Sequence, residues 1–328
     1  MLFSEKVSVM KLTNGKKTML DDLQEGIKRA YPMLKHVEST RGFINRNFKD
    51  EIVPLISGGG SGHDPAHWGF VGDGMLAGAI SGELFVPPTA KEIVEVTQKL
   101  TSKKRVFYIV KNFEKDVDEF CKARLFLENA GWKVGVAIVK DDISVDAASF
   151  EKRRRGVAGT VFFHKILGDY ARKGASVEEL QKVADKLSEN VKTIGVAFSG
   201  DNFLLKENEI YYGIGIHGEE GYRKERFESS EMLARELISK LKLSFGFKSQ
   251  DTYAVLVNSL GEVTKMEQLV FNNDVCELLE AEEIGIGFDK VGTFLTSFGI
   301  KGISLTLLKI KDENWLKALK TKVDAPEW

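Results

Sequence analysis

The sequence contains little cysteine, proline and histidine, and it has almost no net charge. Its 328 residues include two cysteines, six prolines and five histidines, and the formal net charge at pH 7 is −1. Cys121 and Cys276 are far apart and fit no metal-ligand spacing, so we expect two buried free thiols in helices. Because there are only five histidines, each one is considered separately as a candidate functional residue.

Two further absences exclude classes of protein. No apolar run approaches the ~20 residues that a membrane-spanning helix needs, and the first residues lack the pattern of a secretory signal peptide. The near-zero net charge argues against direct binding of DNA or a membrane, because phosphate binding needs clustered lysine and arginine. The one dense basic run, Arg153 to Arg155, is typical of a solvated loop or helix start. The sequence therefore predicts a cytoplasmic protein.

Strand and helix patterns alternate along the chain. Helical spacing predicts helices at 7–40, 90–100, 116–130, 157–190, 231–243 and 264–282. Apolar runs predict strands at 51–56, 105–110, 134–139, 193–199, 209–216, 252–258 and 303–310. This alternation predicts an α/β fold of two α/β domains with mixed, mostly parallel sheets. The pattern restarts near residue 190, so we expect an N-terminal domain over 1–190 and a C-terminal domain over 191–328.

A glycine-rich segment follows the predicted strand at 51–56 and reads Ser57-Gly58-Gly59-Gly60-Ser61-Gly62-His63. Glycine lets backbone N–H groups approach a ligand closely, so the segment could hold a phosphate or a small polyol, or it could be a tight turn only. It is not a Walker A loop, because no Gly-Lys-Ser/Thr closes it. It is not the dinucleotide fingerprint either, because His63 stands where the third glycine would be.

His217 lies between glycines in the segment 213–221. The small neighbours leave its imidazole uncrowded and able to attack a carbonyl carbon, although a turn histidine is the alternative. Asp116 follows the predicted strand at 105–110, where ligands bind in open α/β sheets. It is either a helix N-cap or a base that acts on a hydroxyl.

The other histidines carry weaker signals. His67 follows His63 by four residues, as in a helical metal pair, but Pro65 intervenes and no third ligand is present. We therefore expect no metal and no cofactor. His164 lies among large apolar residues and is typical of a core or helix-surface histidine.

Together these segments resemble the dihydroxyacetone kinase family, and specifically its dihydroxyacetone-binding K subunit. The resemblance covers nearly the whole chain, through segments at 56–67, 72–76, 110–113, 154–161, 164–166, 213–219, 304–308 and 324–326. The glycine segment that ends in His63 and the Gly-Ile-His-Gly motif around His217 are its most specific parts. The resemblance implies a two-domain subunit, usually a homodimer, with the ligand site between the domains.

The resemblance also implies the roles of individual residues. The family histidine that matches His217 attacks the C2 carbonyl of dihydroxyacetone and forms a hemiaminal, and the histidine and aspartate that match His63 and Asp116 handle the hydroxyl proton. Noncovalent affinity for so small a ligand is limited to about 1.5 kcal/mol per non-hydrogen atom. A covalent bond therefore adds affinity and excludes glycerol, which has no carbonyl. The residues expected around the sugar are Gly60, Ser61, Gly62, His63, Lys111 and Asp116.

Departures from the kinase pattern point to a different partner. Family kinase subunits read Lys-Asn-Tyr-x-Gly-Asp, whereas Glu114 and Lys115 precede the aspartate here. The loop at 199–205 is shorter and lacks a proline-containing segment, the stretch 258–262 loses a glycine pair, and Trp68 replaces a small residue. No nucleotide-binding signature is present, and in this family a separate L subunit carries the phosphoryl donor.

The pattern favours a paralogue that keeps the ligand and exchanges the partner. The family includes such a protein, a coactivator that binds dihydroxyacetone and joins a TetR-like transcription regulator to switch on the dihydroxyacetone kinase operon. We predict this function, without direct nucleic-acid contact because the regulator supplies it. The alternative is the dihydroxyacetone-binding K subunit of a phosphotransferase-dependent kinase, which works with an L subunit.

Overall fold

The computed structural model describes residues 11–144, 154–201, 205–206, 208–217 and 221–328. In these residues twelve strands form two six-stranded sheets, and eight α-helices pack around them. The predicted α/β fold with mixed sheets is confirmed. The helices are α1 Met19–Ala30, α2 Ala90–Leu100, α3 Glu114–Asn129, α4 Thr160–Arg172, α5 Val177–Asn190, α6 Ser230–Phe245, α7 Lys265–Ala281 and α8 Glu313–Lys320.

The first sheet has the strand order β1-β2-β4-β3-β5-β6. Its strands are β1 Leu34–Val37, β2 Arg41–Asn45, β3 Leu55–Ser61, β4 Gly78–Leu84, β5 Arg105–Lys111 and β6 Lys133–Val139. From β4 through β3 and β5 to β6, neighbouring strands run parallel. The strand expected at 51–56 lies further along the chain, because β3 continues through the glycines. Glycine is disfavoured in strands, but ladder bonds to β4 and β5 override that preference.

The second sheet has the strand order β11-β10-β12-β7-β8-β9. Its strands are β7 Val191–Gly200, β8 Glu209–Tyr212, β9 Arg223–Arg226, β10 Thr252–Gly261, β11 Gly285–Gly292 and β12 Ile300–Lys309. Among the described strands of this sheet, only β10 and β11 pair in parallel; the other neighbours are antiparallel. The expectation of mostly parallel pairing was wrong for this sheet. Helix α7 joins β10 to β11, whereas β7 and β8 lie too close in sequence for the crossover that a parallel pair needs.

Helices α4 and α5 lie between the two sheets. Helix α4 packs on β3 and β5, and α5 packs on β5 and β6 and also contacts β12. One hydrophobic core continues from the first sheet through these helices to Ala254, Leu256 and Leu308 of the second sheet. Although β7 begins at Val191, the domain boundary at 190/191 stays a prediction, because this shared core joins the two halves.

The long helix expected at 7–40 is shorter in the structure. Helix α1 ends at Ala30, and the chain continues into β1 and β2. Pro32 follows the C-cap residue Tyr31, and a residue before proline is disfavoured in the α conformation, which ends the helix. Residues 1–10 lie outside the described part of the chain.

The two cysteines are free, but the expectation that both are buried was wrong. Cys121 is exposed and Cys276 is half-buried, because each lies beside the apolar stripe of its helix rather than within it. None of the eight helices in the described part of the chain has the length and apolar composition that crossing a bilayer requires.

Candidate functional site

The glycines of β3 are required by the backbone packed against the strand. A side-chain carbon at Gly58 would lie 2.3 Å from the carbonyl oxygen of Ile80, and one at Gly60 would lie 2.7 Å from the Cα of Phe85. Both distances are shorter than any carbon can tolerate without movement of a neighbouring strand or turn. The segment is therefore a close-packed central strand and not the open loop that its composition suggests.

Gly59 makes room for two charged groups. A side-chain carbon there would lie 2.6 Å from the Lys111 Nζ and 2.7 Å from the Asp116 Oδ1. The ammonium and the carboxylate thus share one face of β3 beside the position where a side chain is missing. The sequence places these residues at the end of β5 and the start of α3, and the parallel pairing of β3 with β5 brings them to the glycines.

Lys111 is fully buried. Its Nζ donates a hydrogen bond to the carbonyl oxygen of Gly58 at 3.1 Å and lies 2.6 Å from the Nε2 of His67. Burial lowers the pKa of Lys111 to about 8, although the nearby Asp116 carboxylate opposes this shift. The lysine therefore loses its charge more easily than an exposed lysine does.

Asp116 lies inside the first turn of α3, whose N-cap position is occupied by Phe113. The N-cap alternative is therefore excluded. The side chain is 2 % exposed, and its Oδ1 has no hydrogen-bond partner among the described residues. Burial raises the pKa of Asp116, while the charges of Lys111 and His217 act in the opposite direction. A buried acceptor without a partner is unfavourable, so this oxygen is suited to receive a hydrogen bond from a ligand.

His63 follows β3 and is fully buried. Its Nδ1 lies 2.9 Å from the carbonyl oxygen of Thr296. A carbonyl only accepts, so in the neutral ring Nδ1 carries the proton and Nε2 carries the lone pair. The Nε2 has no partner among the described residues. Burial first, and then the charges of Lys111 and His217, lower the pKa of His63 well below its ordinary value, which keeps Nε2 available as a proton acceptor.

His217 lies at the end of a short turn, 213–217, that follows β8; we call this segment the histidine turn. Three hydrogen bonds attach the turn to β7, to the segment before α4 and to the segment between β11 and β12. They run from the Gly213 N–H to Gly195 O at 2.9 Å, from Arg155 Nη2 to Gly213 O at 2.8 Å, and from Ser297 Oγ to Ile216 O at 2.5 Å. The glycine and glutamate that follow His217 in the motif lie outside the described residues.

Arg155 supports the histidine turn, and the sequence did not reveal this contact. Its guanidinium lies 2.6 Å from the carboxylate of Asp142, and its side chain is only 11 % exposed. The expectation of a solvated basic run was therefore wrong for Arg155, while Arg153 lies outside the described residues. The contact between this arginine and the histidine turn links residues far apart in sequence, so no local pattern could have indicated it.

The histidine turn brings its imidazole onto the first half of the chain. The ring centroid of His217 lies 4.8 Å from that of His63, 4.3 Å from that of Phe113 and 5.7 Å from that of Phe85, edge-on in each case. The two phenylalanines were not singled out in the sequence. The position of Phe113 between Lys111 and Asp116 is the only signal that could have indicated it. These ring contacts place the imidazole of His217, a possible nucleophile, beside that of His63, a possible proton acceptor.

The segment 296–298 fastens the second half of the chain to the end of β3. The backbone N–H of Thr296 donates to the carbonyl oxygen of His63 at 3.1 Å, and the backbone N–H of Phe298 donates to that of Gly62 at 2.9 Å. The Thr296 hydroxyl donates to the carbonyl oxygen of Asp64 at 2.8 Å. This attachment fixes the separation of His63 from the histidine turn, and sequence reasoning missed it.

Ser61 and Gly62 lie beside the site, but their polar groups already have partners in the protein. The Ser61 hydroxyl donates to the carbonyl oxygen of Gly82 at 2.6 Å. The Gly62 N–H donates to the Asp64 carboxylate at 3.1 Å, in a conformation with φ +96° that favours glycine. In this structure both residues shape the end of the strand. In the described part of the chain, no group of three or more histidine, cysteine, aspartate or glutamate side chains is placed to hold a metal ion.

Comparison with known proteins gives the family. A family model of the Dak1 domain matches residues 25–327. The chain belongs to the dihydroxyacetone kinase family through this Dak1 domain. It is 44% identical to the DhaKLM operon coactivator DhaQ of Lactococcus lactis subsp. lactis, over 97% of this chain and 100% of that protein. It is 42% identical to the dihydroxyacetone-binding subunit DhaK of the PTS-dependent dihydroxyacetone kinase of the same organism, over 97% of this chain and 98% of that protein.

Two solved structures of similar proteins superpose closely on this chain. A structure of the dihydroxyacetone kinase operon co-activator matches with a TM-score of 0.90 and 44% identity, over 93% of this chain and 97% of that one. The native dihydroxyacetone kinase of C. freundii matches with a TM-score of 0.88 and 29% identity, over 98% of this chain and 60% of that one. Coactivators and kinases therefore share this Dak1 fold, and the overall likeness alone does not separate them.

Proposed function

We propose that this Dak1 protein is a dihydroxyacetone-binding coactivator that forms a hemiaminal through His217. It then acts with a TetR-like transcription regulator to switch on the dihydroxyacetone kinase operon. One observation carries the proposal: the His217 ring, from the second half of the chain, lies edge-on against His63 at 4.8 Å. That contact brings a possible nucleophile to a proton acceptor from the other half of the chain.

The covalent step needs only groups present at this site. A neutral His217 ring nitrogen donates its lone pair to the C2 carbonyl carbon, and the carbonyl π electrons move to oxygen. The new imidazolium then loses its ring proton, and the alkoxide gains one. The sum is addition of the imidazole N–H across the carbonyl, so no oxidant, reductant or leaving group takes part. The reaction is reversible, which suits a protein that reports the concentration of a metabolite.

Recognition of the two hydroxyls is assigned to the buried polar groups around His217. The Nε2 of His63 and the Oδ1 of Asp116 are buried acceptors without partners among the described residues, and the ammonium of Lys111 is a donor at the same strand. A buried polar group left unpaired costs about 1–3 kcal/mol, so a ligand that presents hydroxyls there gains affinity. Glycerol offers the hydroxyls without the carbonyl and forms no adduct.

The two residues that precede Asp116 favour the coactivator over the kinase subunit. Glu114 and Lys115 are both exposed and directly precede the buried Asp116. They add bulk and charge where a phosphoryl donor has to approach the sugar. The identity to the DhaQ coactivator over its full length also supports this choice. From the family resemblance we also propose that the protein forms a homodimer and is located in the cytoplasm.

The adduct is tested by intact-protein mass spectrometry. Incubation with dihydroxyacetone should add one molecule of the ketose to each chain, and incubation with glycerol should add none. His217→Ala should abolish the mass gain, whereas His36→Ala should retain it, because His36 lies on β1 away from the site. An unchanged mass gain in His217→Ala would refute the covalent role of this residue.

The choice of partner is tested by reconstitution with a kinase L subunit and its phosphoryl donor. The chain should form the adduct but no dihydroxyacetone phosphate, while a DhaK subunit in a parallel reaction turns over. Turnover at the DhaK rate would reject the coactivator and support the K-subunit alternative. A TetR-like regulator should bind the chain only when dihydroxyacetone is present.

A further inference from the structure

A buried contact behind the sugar site is not used by the proposed chemistry. The Nζ of Lys111 lies 2.6 Å from the Nε2 of His67, and the two residues are 0 % and 3 % exposed. This is the shortest polar contact that the structure gives the lysine; the bond to Gly58 O is 3.1 Å long. The imidazole therefore determines where the ammonium lies along the face of β3.

The protonation of this pair follows from what each atom can do. A lysine ammonium only donates, so the Nε2 of His67 must accept, and the proton of the neutral ring is on Nδ1. Burial, followed by the charge of Lys111, lowers the pKa of His67 well below its ordinary value, which keeps the ring neutral. His67 thus stabilises the charged form of Lys111 more than the neutral form, because a hydrogen bond from an ammonium is stronger than one from a neutral amine.

Several other titratable groups face the lysine. They are Asp116 of α3, His63 after β3 and His164 of α4. His217 acts on Asp116 and His63 instead. Asp116 is the one that favours the charged lysine, whereas the histidines would oppose it if they were protonated. His67 is the group that supplies a neutral acceptor at hydrogen-bond distance.

We propose that His67 is a positioning residue that holds the Lys111 ammonium against Gly59 and keeps it charged for contact with a ligand hydroxyl. The inference rests on the proposed function, because it assigns Lys111 a role at the sugar. It extends that function by making ligand capture depend on pH through a residue that does not touch the ligand. Capture should weaken as pH rises through the pKa of Lys111, which is about 8.

Replacing His67 with a residue that cannot accept a hydrogen bond should lower the pKa of Lys111. In His67→Leu the ammonium loses an acceptor but stays buried, so the charged form is disfavoured and its pKa falls. A hydrogen bond to a charged group corresponds to a shift of about one pH unit or more. The high-pH loss of the mass gain should therefore move down by about one pH unit. His67→Gln keeps an acceptor near the Nε2 position and should restore the profile.

The experiment measures adduct formation against pH for the wild-type protein, His67→Leu, His67→Gln and His164→Leu. His164→Leu is the matched control, because it also replaces a buried imidazole, one whose ring is 5.1 Å from His67 and has no hydrogen bond to Lys111. It should leave the profile in place. A purely structural role for His67 would lower the amplitude of binding in both His67 variants without moving the midpoint.

A second measurement separates this inference from the proposed function. The ¹⁵Nζ resonance of Lys111 is titrated in the absence of any ligand. The midpoint should fall by about one pH unit in His67→Leu and return in His67→Gln. Equal midpoints in the wild type and His67→Leu would overturn the inference even if the adduct forms. A missing adduct in the wild type with shifted midpoints would refute the proposed function and its pH dependence, but it would leave standing the control of the Lys111 charge by His67.

Discussion

The two segments that meet at the site, β3 and the histidine turn, are held in very different ways. All seven residues of β3 are buried, and parallel strands pair with it on both sides. The histidine turn follows β8 and is attached by individual hydrogen bonds from Gly213, Arg155 and Ser297. His217 itself is half-buried. One segment is part of a regular sheet, and the other is held by a few separate hydrogen bonds and by the buried side chains of Ile214 and Ile216.

This difference matches the tasks that we propose for the two segments. The groups that we assign to the ligand hydroxyls, His63, Lys111 and Asp116, lie beside β3 rather than in it. Such groups gain affinity when the strand fixes them before the ligand arrives. A nucleophile that forms and releases a covalent bond has to approach the carbonyl and withdraw from it, and locally held segments open at lower free energy than sheet interiors. We therefore expect substitutions in β3 to lower global stability and substitutions around the turn to change ligand capture.

The largest effect is expected in β3 itself. Gly58→Ala places a carbon 2.3 Å from the carbonyl oxygen of Ile80 on the adjacent strand, so β3 and β4 must separate. Overpacking of this kind costs about 3 kcal/mol of unfolding free energy, which urea unfolding would measure. The control is Gly26→Ala in α1, where a side-chain carbon meets nothing within 4 Å; it should stabilise the protein by about 0.5–1 kcal/mol. Equal unfolding free energies for the two variants would contradict the close packing of β3.

A pH-dependent effect is expected from the buried helix behind β3. His164 is fully buried, and neither ring nitrogen has a partner among the described residues. Burial, reinforced by the charge of Lys111, lowers the pKa of His164 to about 3. The unfolded chain, with a histidine pKa near 6.5, binds a proton that the folded chain does not, so stability falls as pH drops from about 6.5 towards 3.

Replacing His164 should remove the decrease in unfolding free energy at low pH that this imidazole causes. His164→Leu should reduce the slope of unfolding free energy against pH by about 1.4 kcal/mol per pH unit between pH 6 and 4. At pH 5 the variant should be about 2 kcal/mol more stable than the wild type, relative to their difference at pH 8. Urea unfolding at several pH values measures both quantities. Parallel stability curves would show that the histidine is hydrated or paired in solution.

Much of the site could be predicted from the sequence because its residues stand in short motifs. The glycine segment ending in His63, the pair Lys111 and Asp116, and the motif around His217 were all identified, and the structure brings them together around Gly59 and the His63 ring. The strand and helix patterns also predicted β5, β6, α2 and α3 nearly at their observed bounds. Local patterns were sufficient wherever a single element carried the signal.

The remainder could not be predicted, because it depends on contacts between distant parts of the chain. The attachment of Thr296 to His63 and the bond from Arg155 to Gly213 join residues with no common pattern. The antiparallel pairing of the second sheet was missed because strand periodicity does not encode strand direction. The glycines of β3 favoured a loop by composition, and the neighbouring strands decided otherwise.

The smallest expected effect comes from removing one buried hydroxyl, either the one that bonds to the histidine turn or one in β3. Ser297 and Ser57 are both buried, and each donates to a backbone carbonyl, of Ile216 in the histidine turn at 2.5 Å and of Ile109 in β5 at 2.7 Å. Each serine-to-alanine change removes about 1 kcal/mol of hydrogen bonding. In Ser297→Ala that loss falls on the turn, so the dissociation constant of the dihydroxyacetone adduct should rise about fivefold. In Ser57→Ala the sheet keeps the strand in place, and the constant should change less than about twofold.

Amide hydrogen exchange at 213–217 should accelerate only in Ser297→Ala, because only there does the local opening free energy fall. If both variants weaken the adduct equally, the two segments open together and the contrast between a fixed strand and a locally held turn is wrong.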